Sequence, residues 1–413
     1  MFEWSDFSPK QLEVIESPLD ARITILEGAV RSGKTIASII RWVLYVMGET
    51  SPNAKLLMLG VTGDTLYRNV VSDLLDIVGT ENARYVDHTL YLFGRTITCV
   101  GARDVGAEKR IRGMTVEGCY IDEVTQIPEV VVKQAILRCS KGLGRLIWTT
   151  NPDSPFHWVC KDFAQNEKQL AEGKVAVYHF ELDDNYALSP DYKDYIKSTF
   201  TGLWYKRMVL GLWVLAEGII YEGFDLEIHG YDAGDRPDRF THERVVCDYG
   251  TQNPFHALRV GSVGIASWVE DEYRYSGRET NIQKTDADYS ADLRDWLGVD
   301  PFDTVDIEVV VDPSASSFKA QLRRDGFTRV VDAKNDVLPG ILTVASRLKL
   351  GLLRIHRTNC PGLVNEFGIY AWDPKAAIRG EDAPIKVHDH GLDALRYHEF
   401  TIHGGTTVEA SWA

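Results

Sequence analysis

Residues 22–35 read RITILEGAVRSGKT and decide the fold of the first half of the chain. A β-branched run leads into Gly28, and the spacing Gly28, four residues, Gly33, Lys34, Thr35 matches a phosphate-binding loop. In such a loop glycine lets backbone N–H groups point at phosphate oxygens, Lys34 contacts the β- and γ-phosphates, and Thr35 binds Mg²⁺. A helix is predicted directly after the loop, with its positive end toward the anion. A chance glycine turn is the alternative, and the order of strand, loop and helix argues against it.

The composition is that of an ordinary globular protein. At 413 residues the chain is long for a single core, so two domains are expected. Hydrophobic residues make up 44% and charged residues 25%, which supplies enough apolar material for sizeable cores. The six cysteines are scattered without a Cys-x-x-Cys pair, so neither a zinc site nor a disulfide framework is predicted. No apolar run approaches the roughly 20 residues of a membrane span and no signal peptide opens the chain, so we expect a cytosolic protein without membrane contact.

The net charge of −15 argues against a protein that coats nucleic acid through bulk charge. A local basic patch can still hold DNA, because phosphate contacts depend on the charges nearest the duplex. The basic residues of the second half that could line such a groove are Lys319, Arg323, Arg324, Arg329, Lys334, Arg347, Lys349, Arg354 and Arg357.

Two later strand ends carry the chemistry that a phosphate-binding loop requires. The strand predicted over residues 116–121 ends in Asp122 and Glu123. Asp122 would hold the Mg²⁺ shell and Glu123 would orient or deprotonate the attacking water, which favours ATP hydrolysis over kinase-type transfer. The strand predicted over residues 145–149 leads into Asn151, which could sense the γ-phosphate from the neighbouring strand end. A plain strand-to-loop turn is the alternative, since Asn-Pro is sufficient for one.

Phe7 and Gln11 stand just before the loop, on a predicted N-terminal helix. Several ATP-driven nucleic-acid motors use an aromatic residue and a glutamine at this place to stack on and read adenine. An amphipathic helix with an incidental glutamine is the alternative. The position upstream of the loop favours adenine recognition.

Three carboxylates of the second half stand at the ends of predicted elements. Asp248 ends a strand over residues 244–247, Asp312 ends a strand over residues 307–311, and Asp393 lies on a helix near the C-terminus. Brought together, such acids can bind two divalent ions about 4 Å apart, which clamp the attacking and leaving oxygens of a phosphodiester. An oxygen-rich site favours Mg²⁺ or Mn²⁺. Each acid alone could be a helix cap or turn residue.

Two neighbours of Asp393 could join this site. Asp389 lies four residues earlier and can share its helix face, so it is a rival ligand or an outer partner. His390 could orient a ligand or the scissile phosphate, or could be an ordinary residue at a helix start.

Three motifs together resemble the ATPase half of the large terminase subunit of tailed bacteriophages. They are the phosphate loop with Arg31 inside it, Asp122-Glu123 followed by Val-Thr-Gln-Ile-Pro, and Thr149-Thr150-Asn151-Pro152. The order of strand, meander, strand and C-terminal helix after residue 240 resembles the RNase H-like nuclease half of the same family. The resemblance implies an α/β chain with an additional-strand P-loop ATPase domain followed by an RNase H-like nuclease domain. Gly218 and Gly223 interrupt an apolar stretch and indicate the boundary. We therefore expect an ATPase domain (1–216), a linker (217–239), a nuclease domain (240–403) and a C-terminal tail (404–413).

The resemblance also implies a function and a set of site residues. The function is a motor that hydrolyses ATP to drive double-stranded DNA into a procapsid, and a Mg²⁺- or Mn²⁺-dependent endonuclease that cuts concatemeric DNA in the host cytoplasm. The implied partners are DNA, a small terminase subunit and the portal protein, with a homo-oligomeric ring on the procapsid. The implied catalytic residues are Glu123, Arg31, Asp248, Asp312 and Asp393. The residues expected to contact ATP and its Mg²⁺ are Phe7, Gln11, Gly28, Arg31, Ser32, Gly33, Lys34, Thr35, Asp122 and Asn151.

Some alternatives stay open. In that family the basic residue within the loop is often assigned a transition-state role, which falls on Arg31, and Arg110, Arg112 and Arg138 are the other candidates. A helicase-like DNA repair ATPase whose second domain only binds DNA, and an assembly factor with purely structural acids, are the competing functions. Among the local predictions are separate strands at 266–269 and 272–276 and a mobile loop at 373–384.

Overall fold

The computed structural model describes residues 6–250, 254–300 and 302–407, which form two β-sheets flanked by helices. The strands of the first half are β1 (Ile23–Gly28), β2 (Lys55–Gly60), β3 (Ala83–Val86), β4 (Thr89–Leu92), β5 (Arg95–Gly101), β6 (Gly118–Ile121), β7 (Arg145–Thr150) and β8 (Val175–Phe180). Its helices are α1 (Pro9–Glu16), α2 (Lys34–Gly48), α3 (Gly63–Leu66), α4 (Ser72–Val78), α5 (Ala107–Ile111), α6 (Glu129–Arg138), α7 (Glu167–Ala171), α8 (Pro190–Thr199) and α9 (Gly202–Trp204). Wide π-helical turns occupy Tyr67–Val71, Cys160–Ala164 and Tyr205–Val209.

The first sheet has eight strands in the order β3-β4-β5-β2-β6-β7-β1-β8. The six strands from β5 to β8 in this order pair in parallel. Helices cover both faces of a parallel sheet, which is why all six residues of β1 are buried. Strand β7 lies between β1, which precedes the loop, and β6, which precedes Asp122. It is the additional strand that the resemblance implied, and it brings three strand ends to one edge of the sheet.

The second half contains strands β9 (Gly230–Tyr231), β10 (His242–Asp248), β11 (Phe255–Val263), β12 (Ala266–Tyr275), β13 (Val305–Val311), β14 (Phe327–Asp332) and β15 (Leu353–His356). Its helices are α10 (Leu226–His229), α11 (Gly277–Thr280), α12 (Asp286–Trp296), α13 (Ser316–Arg324), α14 (Val337–Lys349), α15 (Pro361–Ile369), α16 (Pro374–Ile378) and α17 (His390–Thr407). The sheet order is β14-β13-β10-β11-β12-β15-β9.

The centre of this second sheet has RNase H-like topology. Strands β10, β11 and β12 form an antiparallel meander, while β13 and β14 run parallel to β10. Helix α17 packs on β10, β11 and β13, where Leu392 and Leu395 join a core with Val246, Leu258 and Val310. The α/β class and the two predicted fold types are therefore confirmed.

Several local predictions are wrong. Residues 266–275 form one continuous strand, because β12 stays paired with β11 through a register shift at Arg259 and Val260. The predicted mobile loop at 373–384 contains helix α16, whose first turn is capped by the Asp373 side chain. Helix α17 continues to residue 407, so the first four residues of the predicted tail are helical, and residues 408–413 lie outside the described residues.

The predicted linker, residues 217–239, is joined to the second sheet. It contains helix α10 and the edge strand β9, which pairs with β15 in parallel. Ile219 also forms a bridge with Ala371. The division of the chain at residues 216 and 240 stays a prediction.

All six cysteines are buried as free thiols. No helix within the described ranges combines the length and apolar character that crossing a membrane requires.

Candidate active sites

The phosphate-binding loop has a backbone shape that only glycine allows at its start. Gly28 has φ 137°, and a Cβ atom there would lie 1.9 Å from the carbonyl oxygen of Phe180. The following residue, Ala29, donates its N–H to that same oxygen at 2.8 Å. Gly33 ends the loop with φ 88° and is the N-cap residue of α2. The loop is therefore pressed against β8 and opens toward the carboxyl ends of β6 and β7.

Lys34 lies buried at the centre of the loop. Its Nζ donates to the carbonyl oxygens of Gly28 and Ala29 at 3.2 and 2.6 Å, and to the side chains of Ser32 and Asn151 at 3.3 and 3.0 Å. Burial lowers the pKa of Lys34 to about 8, although the nearby carboxylates Glu123 and Asp122 act in the opposite direction. The ammonium is thus held by oxygen acceptors at the place where a phosphate would lie.

Asp122 and Glu123 stand at the end of β6, beside this lysine. Thr149 of β7 donates its hydroxyl to Asp122 at 2.7 Å and accepts the N–H of Glu123 at 3.3 Å. Burial raises the pKa of Asp122, with the hydrogen bond from Thr149 and the charge of Lys34 opposing the shift. Burial, followed by repulsion from Asp122, raises the pKa of Glu123 to about 7. A carboxyl group with a pKa near neutrality suits general-base chemistry.

Glu123 and Asn151 connect the acids with the loop. Glu123 adopts a left-handed backbone, φ 52°, which is uncommon for a residue other than glycine and concentrates at functional sites. The Asn151 side chain accepts from Lys34 and directs its Nδ2 toward both Glu123 carboxylate oxygens at 3.4 and 3.5 Å. One amide therefore contacts both the lysine and the acid that the sequence singled out separately.

These residues line a cavity of about 380 Å³ together with Arg31, Ser32 and Thr35. Five further polar or charged residues line the cavity and were not predicted as site residues: Arg68, Asn69, Asp73, Gln126 and Asn185. Arg68 and Asn69 lie on the π-helical turn Tyr67–Val71, a type of turn that is frequent at functional sites. No local sequence motif marks that turn.

Phe7 and Gln11 are not among the described residues that line the cavity. Gln11 instead supports the loop from outside, since its Nε2 donates to the Gly33 carbonyl oxygen at 3.2 Å. Its Oε1 accepts from Ser8 N at 3.0 Å in a capping box. Adenine recognition by these two residues stays a prediction.

Arg31 lines the cavity and has a left-handed backbone with φ 55°. Its carbonyl oxygen accepts from Asn185 at 2.7 Å. The alternatives Arg110, Arg112 and Arg138 are not among the described lining residues. Arg110 donates to the Gly101 carbonyl at 2.6 Å, and Arg112 pairs with Glu108 at 2.6 Å. The geometry favours Arg31 over these three for contact with a nucleotide bound in this chain.

The second candidate site is at the carboxyl ends of β10 and β13. Asp248 ends β10, Asp312 follows β13, and Asp393 lies in the first turn of α17. All three carboxylates act on the Tyr397 phenol, where burial and the charges of Asp248 and Asp393 raise the pKa. The Tyr397 hydroxyl donates to Asp312 at 2.9 Å. Asp312 thus contacts Tyr397 directly, while the charges of Asp248 and Asp393 act on the same phenol. Tyr397 was missed although it shares a helix face with Asp393.

Asp248 and Asp312 are held differently. His390 Nδ1 lies 2.7 Å from an Asp248 carboxylate oxygen. Burial raises the pKa of Asp248, with the hydrogen bond to His390 opposing and the charge of Asp393 adding to the shift. Burial would also raise the pKa of Asp312, but hydrogen bonds from Ser314 and Tyr397 outweigh it and lower that pKa below its usual value.

Lys386 forms ion pairs with Asp393 and with its neighbour Asp389. Its Nζ is 2.7 Å from Asp393 and 3.1 Å from Asp389, and Arg396 donates to the other Asp393 oxygen at 3.0 Å. Across the described residues, no group of three or more His, Cys, Asp or Glu side chains stands in an arrangement ready for a metal ion. Carboxylate oxygens are nevertheless the ligands that a hard divalent cation prefers. The Lys386 ammonium already neutralises two of these carboxylates, Asp393 and Asp389.

The predicted DNA groove needs a correction at Arg347. This residue is buried, and its guanidinium pairs with the buried Glu399 on α17 and donates to the Ile265 carbonyl at 2.7 Å. It holds α14 against α17 and cannot reach a duplex. Lys319 and Arg329 are engaged as well, with Asp332 and with Glu308 respectively.

Comparisons with known proteins show which family this chain resembles. Residues 25–228 match the family described as "Terminase large subunit, T4likevirus-type, N-terminal". The large terminase of the thermophilic bacteriophage D6E is 38% identical, with a TM-score of 0.85 over 96% of this chain and 99% of that chain. The structures of that terminase with ATP-gamma-S and with ADP each have a TM-score of 0.82 at 38% and 37% identity, over the same shares of the two chains. Comparison with curated protein sequences found no match. An identity above 30% over nearly the full length of both chains shows the family, and this chain belongs to the large terminase subunits of bacteriophages.

Proposed function

We propose that this chain hydrolyses ATP to move double-stranded DNA into a procapsid and cuts concatemeric DNA with a second, metal-dependent site. The observation that carries the proposal is the Asn151 side chain, which contacts Lys34 of the loop and Glu123 of the acidic pair at once. A residue so placed can report the loss of a phosphate to the chain that follows it, which is what coupling hydrolysis to movement requires.

In the first site each residue has a separate role. Gly28, Ser32, Gly33 and the Lys34 ammonium would bind the triphosphate, and Thr35 with Asp122 would hold Mg²⁺, which would supply positive charge to the phosphates. Glu123 takes a proton from the attacking water, for which its pKa near 7 is suited. Arg31 stabilises charge on the transferred phosphoryl group.

ATP is the proposed nucleotide because the similar D6E terminase has been solved with ATP-gamma-S and with ADP. Phe7 and Gln11 would recognise the adenine. For Gln11 this needs a change of partner, since its amide now supports the Gly33 carbonyl.

In the second site Asp248, Asp312 and Asp393 would hold Mg²⁺ or Mn²⁺, which polarises a phosphodiester and activates water when bound. The Lys386 ammonium must then leave Asp393, because it occupies a carboxylate oxygen there. His390 orients Asp248 through its 2.7 Å contact, and Asp389 is an outer partner through Lys386. Tyr397 fixes the Asp312 carboxylate.

The proposed setting follows from the family. The partners are DNA, a small terminase subunit and the portal protein, and the chain acts as a homo-oligomeric ring on the procapsid in the host cytoplasm. Residues 1–216 form the motor, residues 217–239 the linker, and residues 240–403 the nuclease.

The test separates the two activities. Lys34→Ala should abolish ATP hydrolysis and leave Mn²⁺-dependent plasmid cleavage intact, whereas Asp248→Asn should do the reverse. The exposed residues Lys55 and Asp295 supply matched controls, Lys55→Ala and Asp295→Asn, which should change neither activity. Cleavage should stop when EDTA is added. If Asp248→Asn and Asp312→Asn both leave cleavage at the wild-type rate, the nuclease assignment is wrong.

A further inference from the structure

A buried charged cluster lies directly behind the nuclease acids. It consists of His256 on β11, Glu272 on β12 and Glu366 on α15. His256 is the residue paired with Asp248 in the β10–β11 ladder, and its side chain is fully buried. Its Nε2 lies 3.1 Å from Glu272 and its Nδ1 lies 3.6 Å from Glu366. Neither the motifs nor the proposed chemistry uses this cluster.

The two glutamates tie two helix starts to the histidine. Glu272 accepts the backbone N–H groups of Gly362 and Leu363, in the first turn of α15, at 2.5 and 2.8 Å. Glu366 accepts the N–H of Leu392, in the first turn of α17, at 2.9 Å. A carboxylate at a helix N-terminus satisfies N–H groups that have no partner within the helix and interacts favourably with the helix dipole.

The first turn of α17 touches this cluster without a gap. A Cβ atom at Gly391 would lie 2.6 Å from His256 Cε1 and 3.0 Å from the Glu366 carboxylate. On either side of Gly391 are His390, which contacts Asp248, and Leu392, which donates to Glu366. The cluster therefore sets how far this turn approaches β10, and with it the positions of His390 and Asp393.

The energetics indicate a specific role for these charges. A buried ion cluster stabilises a fold no better than apolar residues of the same volume, because desolvation offsets the attraction. Burial alone would lower the pKa of His256, but Glu272 and Glu366 outweigh it and raise that pKa to about 9. The cluster is thus an imidazolium between two carboxylates at neutral pH.

We propose that His256, Glu272 and Glu366 are positioning residues that hold the first turn of α17 so that His390 and Asp393 face Asp248. The inference rests on the proposed nuclease function. In this role the cluster aligns the cation-binding acids and contacts neither DNA nor the cation.

The test uses the full chain and variants at Glu366. Glu366→Ala removes the acceptor for Leu392, and Glu366→Gln keeps an oxygen that can accept that N–H. We expect Glu366→Ala to weaken Mn²⁺ binding, measured by calorimetry, and to lower the cleavage rate at saturating DNA, each at least tenfold. The KM for DNA and the ATPase rate should stay unchanged. Glu366→Gln should recover part of the loss, because it keeps the acceptor for Leu392 but not the charge beside His256.

The matched control is Glu399→Gln, which disturbs another buried ion pair on the same helix, with Arg347. It should lower the unfolding temperature and leave Mn²⁺ affinity and cleavage near wild type, which separates positioning from stability. If Glu366→Ala does not fold, the milder His256→Gln should show the same two losses. If folded Glu366→Ala or folded His256→Gln keeps wild-type Mn²⁺ affinity and cleavage, the inference is wrong and the proposed nuclease function is unaffected. A wild-type chain that neither binds Mn²⁺ nor cuts DNA overturns the proposed nuclease function and the inference with it.

Discussion

A buried arginine joins the two halves of the chain, and replacing it should release the segment that leads to the nuclease acids. Arg207 has a side chain only 2% exposed and pairs with Asp382, whose side chain is 1% exposed. It also donates to Asp153 at 2.8 Å and to the Val214 carbonyl at 3.0 Å. Asp153 follows Asn151 of the first site, and Asp382 precedes Lys386 of the second. The variant we choose is Arg207→Met, which keeps most of the apolar stem.

These contacts determine the expected cost of the substitution. Removing one partner of a buried ion pair costs about 3–5 kcal/mol, because the other charge stays buried without compensation. Burial already raises the pKa of Asp382 to about 6 even with Arg207 present, so this carboxyl group is poorly solvated. Since about 1.4 kcal/mol corresponds to a factor of ten, local opening around Asp382 should become at least about a hundredfold more frequent.

Hydrogen exchange measures this opening. The N–H of Asp373 donates to the Ala383 carbonyl at 2.8 Å, and the N–H of Ile385 donates to the Ala371 carbonyl at 2.9 Å. These two amides should exchange about a hundredfold faster in Arg207→Met, and Asp382→Asn in the same chain should restore part of the protection. Lys197→Met is the control, because its pair with Asp183 is exposed and should contribute under about 1 kcal/mol. Unchanged exchange at both amides in Arg207→Met refutes the reasoning.

Three further predictions concern the loop and the buried cluster. Gly28→Ala places a Cβ atom 1.9 Å from the Phe180 carbonyl oxygen and should weaken ATP binding at least about tenfold, measured by fluorescent-nucleotide titration, and near-wild-type affinity would contradict the loop geometry. Arg31→Ala should lower the ATP turnover number more than it lowers ATP affinity in steady-state kinetics, and an equal loss of both would make Arg31 a binding contact only. His256 has a pKa of about 9 in the folded chain against 6.5 ordinarily, so its contribution to stability is fully present below pH 6.5 and is lost as the pH rises through 9. The unfolding temperature of wild type should therefore exceed that of His256→Gln by less at pH 9.5 than at pH 6.5, and a difference independent of pH would show that the charge does not stabilise the fold.

The predictable part of the fold came from local patterns. The loop residues 28–35 and the helix directly after them could be placed because glycine spacing and residue type act within a few residues. Strand β12 was predicted as two pieces because polar residues interrupt its apolar run. In the structure, pairing with β11 carries the strand through that interruption, at a register shift that no local pattern reveals.

The segment 373–384 shows the same limit. Its turn-rich composition is typical of a mobile loop, yet Asp382 is fixed by Arg207, a residue 175 positions earlier. Lys386 was overlooked for the same reason, since a lysine near a helix start is ordinary until the fold places it on Asp389 and Asp393.

The sequence by itself determined the chemical inventory: a phosphate-binding loop, acids at strand ends, and the order of elements that places each acid in its half of the chain. Those features depend on residue type and short spacing, which the local backbone carries into the structure unchanged. Only the tertiary structure decided which groups act together, such as Asn151 between Lys34 and Glu123, and His256 beneath the turn that carries His390. These contacts join residues far apart in the chain, so they depend on sheet order and register, and a one-residue slip in β11 would turn His256 to the opposite face of the sheet.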